Sequence, residues 1–167
     1  MEEKNYISQA GFDRLKQEYD QLYFFERPEV IKVVQWAASN GDRSENADYL
    51  YGKRRLREID RKLSFLNKRL KNAVVVDYLH YPENHKTLIR FGAQVHLQCV
   101  DDKVDLILEK IITIVGVDEV DLEKNYVSWK SPLGSALIGK DRGDECVVRA
   151  PQGEITYEII KFHYDLY

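Results

Sequence analysis

Asn40-Gly41-Asp42-Arg43-Ser44-Glu45-Asn46-Ala47-Asp48-Tyr49 lies at the mirror point of two long apolar-periodic segments, and that position decides the fold. On its C-terminal side Leu56, Ile59, Leu63, Leu66 and Leu70 recur at spacings of 3, 4, 3 and 4, the seam of a coiled coil. On its N-terminal side Phe12, Leu15, Tyr19 and Leu22 repeat the pattern. Two helices folded back antiparallel bring together residues whose numbers have a constant sum. Phe12 with Leu70, Leu15 with Leu66, Tyr19 with Leu63 and Leu22 with Ile59 all sum to 81 or 82. The reversal therefore falls at Gly41, a residue type able to take the left-handed conformation that ends a helix. Two carboxylates, Asp42 and Glu45, stand at the expected tip.

Working outward, Ser8 is a suitable cap for the first helix, which the periodicity carries to about Ser39. Pro28 removes a backbone donor in its middle and predicts a kink or loosening around Phe25 to Pro28. Beyond it the constant sum sets Glu26 opposite Leu56, Val30 opposite Gly52 and Tyr49 opposite Val33. With about 28 residues in each arm at ~1.5 Å per residue, the hairpin should be roughly 40 Å long.

After Lys71 the period changes. Ala73 to Val76, Phe91 to Val100, Val104 to Val117, Tyr126 to Trp129, Cys146 to Ala150 and Ile155 to Phe162 read as strands, and Tyr78 to Arg90 as a loop. Asp101-Asp102 and Pro151-Gln152-Gly153 supply turns. Ser131-Pro132 opens a short helix that Gly139 closes. The chain is thus expected to be α+β, with an antiparallel coiled-coil hairpin over residues 1–72 and an antiparallel sheet with one helix over 73–167.

The 167 residues are 44% hydrophobic, enough for a packed core. No run approaches the ~18 apolar residues of a membrane span and the N-terminus lacks signal-peptide character, so a cytoplasmic protein with no membrane partner is expected. Cys99 and Cys146 read as reduced core residues, and with the four scattered histidines they give no zinc spacing. The net charge of −3 conceals an asymmetry: residues 53–71 hold nine Lys or Arg against Glu58 and Asp60, a local +7. Such a block attracts a polyanion, although a solvated helix face would carry the same charges.

Two readings of the tip stand side by side. Asp42 followed three residues later by Glu45 fits a capping box that starts the second helix. The same carboxylates, about a turn apart, also suit a hard divalent cation such as magnesium, which takes oxygen ligands and needs few from one protein. Two acids make half a site, so this reading requires a partner that supplies the rest.

Trp36-Ala37-Ala38-Ser39-Asn40-Gly41-Asp42-Arg43-Ser44-Glu45-Asn46-Ala47-Asp48-Tyr49, followed by Lys53-Arg54-Arg55-Leu56-Arg57-Glu58-Ile59-Asp60, resembles the Gre family of bacterial transcript-cleavage factors, most closely its GreB branch. Ser131-Pro132-Leu133-Gly134-Ser135-Ala136-Leu137-Ile138-Gly139-Lys140, Gly143-Asp144 and Pro151-Gln152-Gly153 are similar to the family's C-terminal signature. The resemblance implies a C-terminal FKBP-like domain docked at the rim of the secondary channel of RNA polymerase, with the hairpin inside the channel. It implies that Asp42 and Glu45 help the polymerase hold a second Mg²⁺ and orient water for endonucleolytic cleavage of the backtracked nascent RNA. The chain would not be an enzyme by itself, and would bind no metal stably alone. By the same resemblance Lys53, Arg54, Arg55, Arg57 and Arg61 form an RNA-binding patch, Ser44 supports the tip, and Ser131 and Pro132 dock on the polymerase. Lys130 departs from the acid expected before Ser131, which bears on docking strength. A hairpin that buries its own seam has little need of a partner helix, so a monomer is expected.

Three other functions fit part of the chain. A Gre-like regulator could occupy the channel without stimulating cleavage, but such relatives alter the tip acids kept here. Peptidyl-prolyl isomerisation would need an aromatic-lined pocket, for which the sequence offers no required constellation. A nucleic-acid-gripping arm suits the charge but not the acidic tip.

Overall fold

The computed structural model describes residues 3–41, 43, 45–100, 109–150 and 153–164. These form two compact units: one contains residues 12–73, and the other contains residues 5–11 together with the chain from 74 onward.

α1 (Gln9–Asp20), which belongs to the first unit from Phe12 onward, runs into a π-helical segment, Gln21–Glu26, and then α2 (Arg27–Ser39). Pro28 lies in the first turn of α2, and the backbone N–H of Arg27 donates to the Leu22 carbonyl across a five-residue step. The loosening expected before Pro28 thus takes the form of a widened π turn, a known response to an interrupted α-helical ladder. The chain reverses through Gly41, whose φ is +126°, and α3 (Ala47–Lys71) returns antiparallel. Leu15, Ile59, Leu63 and Leu66 are buried, as the seam requires.

Above the π segment the pairing differs from the constant sum. Gly52 packs against Val34 rather than Val30; a Cβ on Gly52 would lie 2.6 Å from Val34 Cγ2. At the end of the π segment Glu26 still meets Arg55, a pair that keeps the sum of 81. The π turn holds extra residues per turn and so moves later side chains out of the phase that a continuous α-helix would keep.

The second unit is built on a sheet ordered β5-β4-β3-β7-β6, from β3 (Gln94–Cys99), β4 (Glu109–Val115), β5 (Tyr126–Ser128), β6 (Glu145–Ala150) and β7 (Gly153–His163). All neighbours are antiparallel except β4 and β5, which run parallel and make the sheet mixed. Val95, Leu97 and Cys99 are the buried positions of β3, and Val95 and Leu97 form a core with Ile112, Ile114, Cys146 and Ile159 that is closed by Leu137 of α4 (Pro132–Leu137). Cys99 and Cys146 are free and buried, each opposite Tyr157 from opposite sides of β7. Two strand spacings of ~4.8 Å put them beyond disulfide reach.

The sequence reading placed all of residues 1–72 in the hairpin, but residues 5–11 belong to the second unit. Strand β1 (Asn5–Ile7) pairs with β2 (Ala73–Val75), and the Val76 N–H donates to the Ile7 carbonyl. The buried Glu119 carboxylate accepts hydrogen bonds from the Ser8 N–H (3.0 Å), the Ser8 hydroxyl and the Gly116 N–H (3.0 Å). Ser8 Oγ in turn accepts from the Gly11 N–H, the cap expected for α1. Among the described residues no helix is long and apolar enough to cross a membrane.

Candidate functional site

The start of α3 separates the two readings of the tip. Its cap is Asn46, whose Oδ1 accepts from the Tyr49 N–H at 3.0 Å. The other end of the same amide, Nδ2, donates to the Ala37 carbonyl of α2 at 2.9 Å. One side chain therefore closes the helix start and ties it to the facing arm. Glu45 precedes the cap instead of occupying the third helical position, so the capping box proposed for Asp42 and Glu45 does not form around it. The Glu45 side chain is exposed and has no hydrogen bond or ion pair among the described residues. Asp42 and Ser44 lie outside the described residues. Arg43 places its guanidinium 6.0 Å from the Tyr49 ring, and Tyr49 is half-buried, in line with a packing role.

Along α3 the basic residues divide by direction. Arg55 reaches across to Glu26, with Nε 2.8 Å from Oε1 and Nη2 on the same oxygen, and also contacts Glu58. These bonds raise the Arg55 pKa above its ordinary value, Glu26 contributing most, and Arg55 in turn holds the Glu58 carboxyl below its usual range. Lys62 pairs with Glu18 at 2.9 Å, and Arg27 of the first arm pairs with Asp60 at 2.8 Å. The flanks of the seam are thus laced by ions.

Arg54, Arg57, Arg61 and Lys68 are exposed and recur at helical spacing on the face turned away from the seam. Arg54 touches Glu58 at 3.3 Å, and Arg61 donates to the Arg57 carbonyl at 3.3 Å. Arg57 has no acidic partner among the described residues. Of the five residues assigned to RNA by resemblance, Arg54, Arg57 and Arg61 share this stripe, Lys53 is half-buried beside it, and Arg55 is committed to the hairpin. Lys68 extends the stripe; its i+7 spacing from Arg61 was the sequence signal.

No group of three His, Cys, Asp or Glu side chains able to hold a metal occurs among the described residues. What the tip offers is a carboxylate oxygen donor unused by the fold, which suits a hard cation only if further ligands come from outside.

Residues 5–75 match the profile described as transcription elongation factor, N-terminal, and residues 84–164 match that described as transcription elongation factor, GreA/GreB, C-term. The chain belongs to the GreA/GreB family. Transcription elongation factor GreB of Neisseria meningitidis serogroup A is 50% identical over 165 residues, 98% of this chain and 96% of that protein. GreB of Haemophilus ducreyi is 44% identical over 165 residues, 99% of this chain and 97% of that one. Among solved structures, a transcription elongation factor GreA/GreB from Nitrosomonas europaea is similar with 21% identity and a TM-score of 0.41, over 97% of this chain and 99% of that one.

In this GreA/GreB member, Ser131 of the second unit caps α4. Its hydroxyl accepts from the Gly134 N–H (3.0 Å) and donates to the Ser128 carbonyl (2.7 Å), which commits it to the turn; Pro132 is exposed in the first helical turn. Lys130 sets its ammonium 5.2 Å from the Trp129 ring. Tyr6, Tyr81, Arg90, Phe91, Trp129 and Ile138 help line a cavity of about 470 Å³, with Tyr6 and Trp129 edge to face at 5.6 Å. The sequence did not signal this aromatic pocket, because its walls come from five separate segments.

Proposed function

We propose that this GreA/GreB-family elongation factor places its hairpin in the secondary channel of RNA polymerase and stimulates the polymerase's Mg²⁺-dependent cleavage of backtracked RNA. The observation that carries the reading is Glu45: an exposed carboxylate on the loop joining the two arms, released from backbone capping by Asn46. A carboxylate with no structural duty is free to act on something outside the chain. With Asp42 it supplies oxygen donors to a site completed by the polymerase, and the chain has no hydrolytic activity of its own. Magnesium, when bound there, contributes charge stabilisation to phosphodiester hydrolysis. The outward stripe of α3 neutralises phosphates of the extruded RNA.

The test is cleavage by a purified, backtracked polymerase complex in the presence of the chain and of its Asp42→Asn/Glu45→Gln variant. The wild-type chain should release a 3′ fragment and restore extension. The variant should compete for the polymerase with unchanged affinity yet lose about 100-fold or more in cleavage rate, the scale of one removed charge-stabilising group. Undiminished cleavage by the variant would falsify the assignment of the tip acids. Competition without cleavage by the wild-type chain would support a channel-occupying regulator instead.

A further inference from the structure

The outward face of α3 carries an apolar group that neither the seam nor the ion pairs use. Ile59, Leu63 and Leu66 are buried, whereas Phe65 is 52% exposed. It stands four residues past Arg61 and three before Lys68, so it falls within the row of cations and not beside it. Lys62, itself held by Glu18, approaches the phenyl ring at 5.8 Å and braces it.

We propose that Phe65 is a base-stacking platform for single-stranded RNA lying along α3, with Arg54, Arg57, Arg61 and Lys68 holding the phosphates. The inference rests on the RNA contact in the function proposed above and adds the group that would touch bases. The charge and the shape of the face select the occupant. Protein-docking surfaces set an apolar centre within a polar rim. Here Phe65 is set between Arg61 and Lys68 in a line of positive charge, with the other exposed apolar groups of the helix, Leu50 and Tyr51, about four turns away toward the tip, the arrangement of sequence-tolerant single-strand binders. Stacking needs only a π face, which every base has, and the phosphates supply the complementary charge.

The decisive comparison is between two fluorescein-labelled strands of about ten nucleotides, one a mixed-sequence RNA and the other an abasic strand with the same number of phosphates. Binding to the full-length chain is read by anisotropy at several salt concentrations. Phe65→Ala should weaken RNA binding roughly fivefold or more, leave the abasic strand unaffected, and keep the salt slope. Phe65→Trp should retain RNA binding. Arg57→Ala should instead reduce the salt slope for both strands. RNA binding by Phe65→Ala at wild-type strength would overturn the proposal, as would an equal loss on both strands. Competition by polyglutamate that depends equally on Phe65 would assign the face to an acidic protein surface. Intact Phe65-dependent binding without stimulated cleavage would refute the cleavage function and leave this inference standing.

Discussion

Asn46 serves two helices with one amide, accepting from Tyr49 and donating to Ala37. Replacing it with Ala removes the cap and leaves the Ala37 carbonyl without that donor, so Asn46→Ala should cost about 1 kcal/mol in hairpin stability. Glu45→Gln should leave stability within error. Urea unfolding followed by circular dichroism checks both, and a destabilised Glu45→Gln would return Glu45 to a structural role. The sequence reads as a cap at Asp42 with Glu45, whereas the helix is capped four residues later by Asn46 on the Tyr49 N–H. Local propensity does not reveal this cap, because its second bond goes to Ala37, nine residues away on the other arm. Arg55 carries a similar lesson: its charge was legible, but its engagement by Glu26 was not.

At the level of elements, the seam was readable because burial at a 3.5-residue period leaves a direct imprint on composition. Leu15, Ile59, Leu63 and Leu66 occupy it as expected. Pro28 announced an interruption, but a missing N–H says only that the ladder breaks, not that Gln21–Glu26 will widen into a π turn. The change of phase beyond it brings Val34 onto Gly52. Gly52→Ala should therefore destabilise the hairpin even though alanine improves helix propensity by about 1 kcal/mol. Adding Val34→Ala should recover most of the loss, measured as unfolding midpoints of the single and double variants. Equal midpoints for Gly52→Ala and the wild type would mean that the arms do not approach this closely.

Across the whole molecule, the two units draw on different ionisable groups. The hairpin is braced by guanidinium–carboxylate pairs, whereas the second unit buries phenols. Tyr164 donates to the Leu88 carbonyl and accepts from the Arg90 N–H, and burial pushes its pKa up to about 12. Burial also raises Tyr81, Tyr126 and Tyr157. A raised phenol favours the fold in its neutral form. Its contribution is complete below the unfolded value near 10 and is lost as pH climbs through the folded value. The second unit should accordingly lose stability as pH rises above about 10, with Tyr164→Phe flattening that decline; tyrosinate absorbance and near-ultraviolet dichroism follow it. The mixed sheet and aromatic cavity were poorly legible because both depend on distant segments meeting. Glu119 is the extreme case, one of four acids within residues 118–123, of which it alone gathers the backbone N–H groups of Ser8 and Gly116 among the described hydrogen bonds. Its position has a consequence for biosynthesis. The helices of residues 12–71 find their partners in each other, but the stretch from Asn5 to Gly11 emerges before them and cannot complete its hydrogen bonds until residues 73–76 and 116–119 have been made. The strand from Asn5 to Ile7 is synthesised ahead of both of its partners and has to wait for them to find its place.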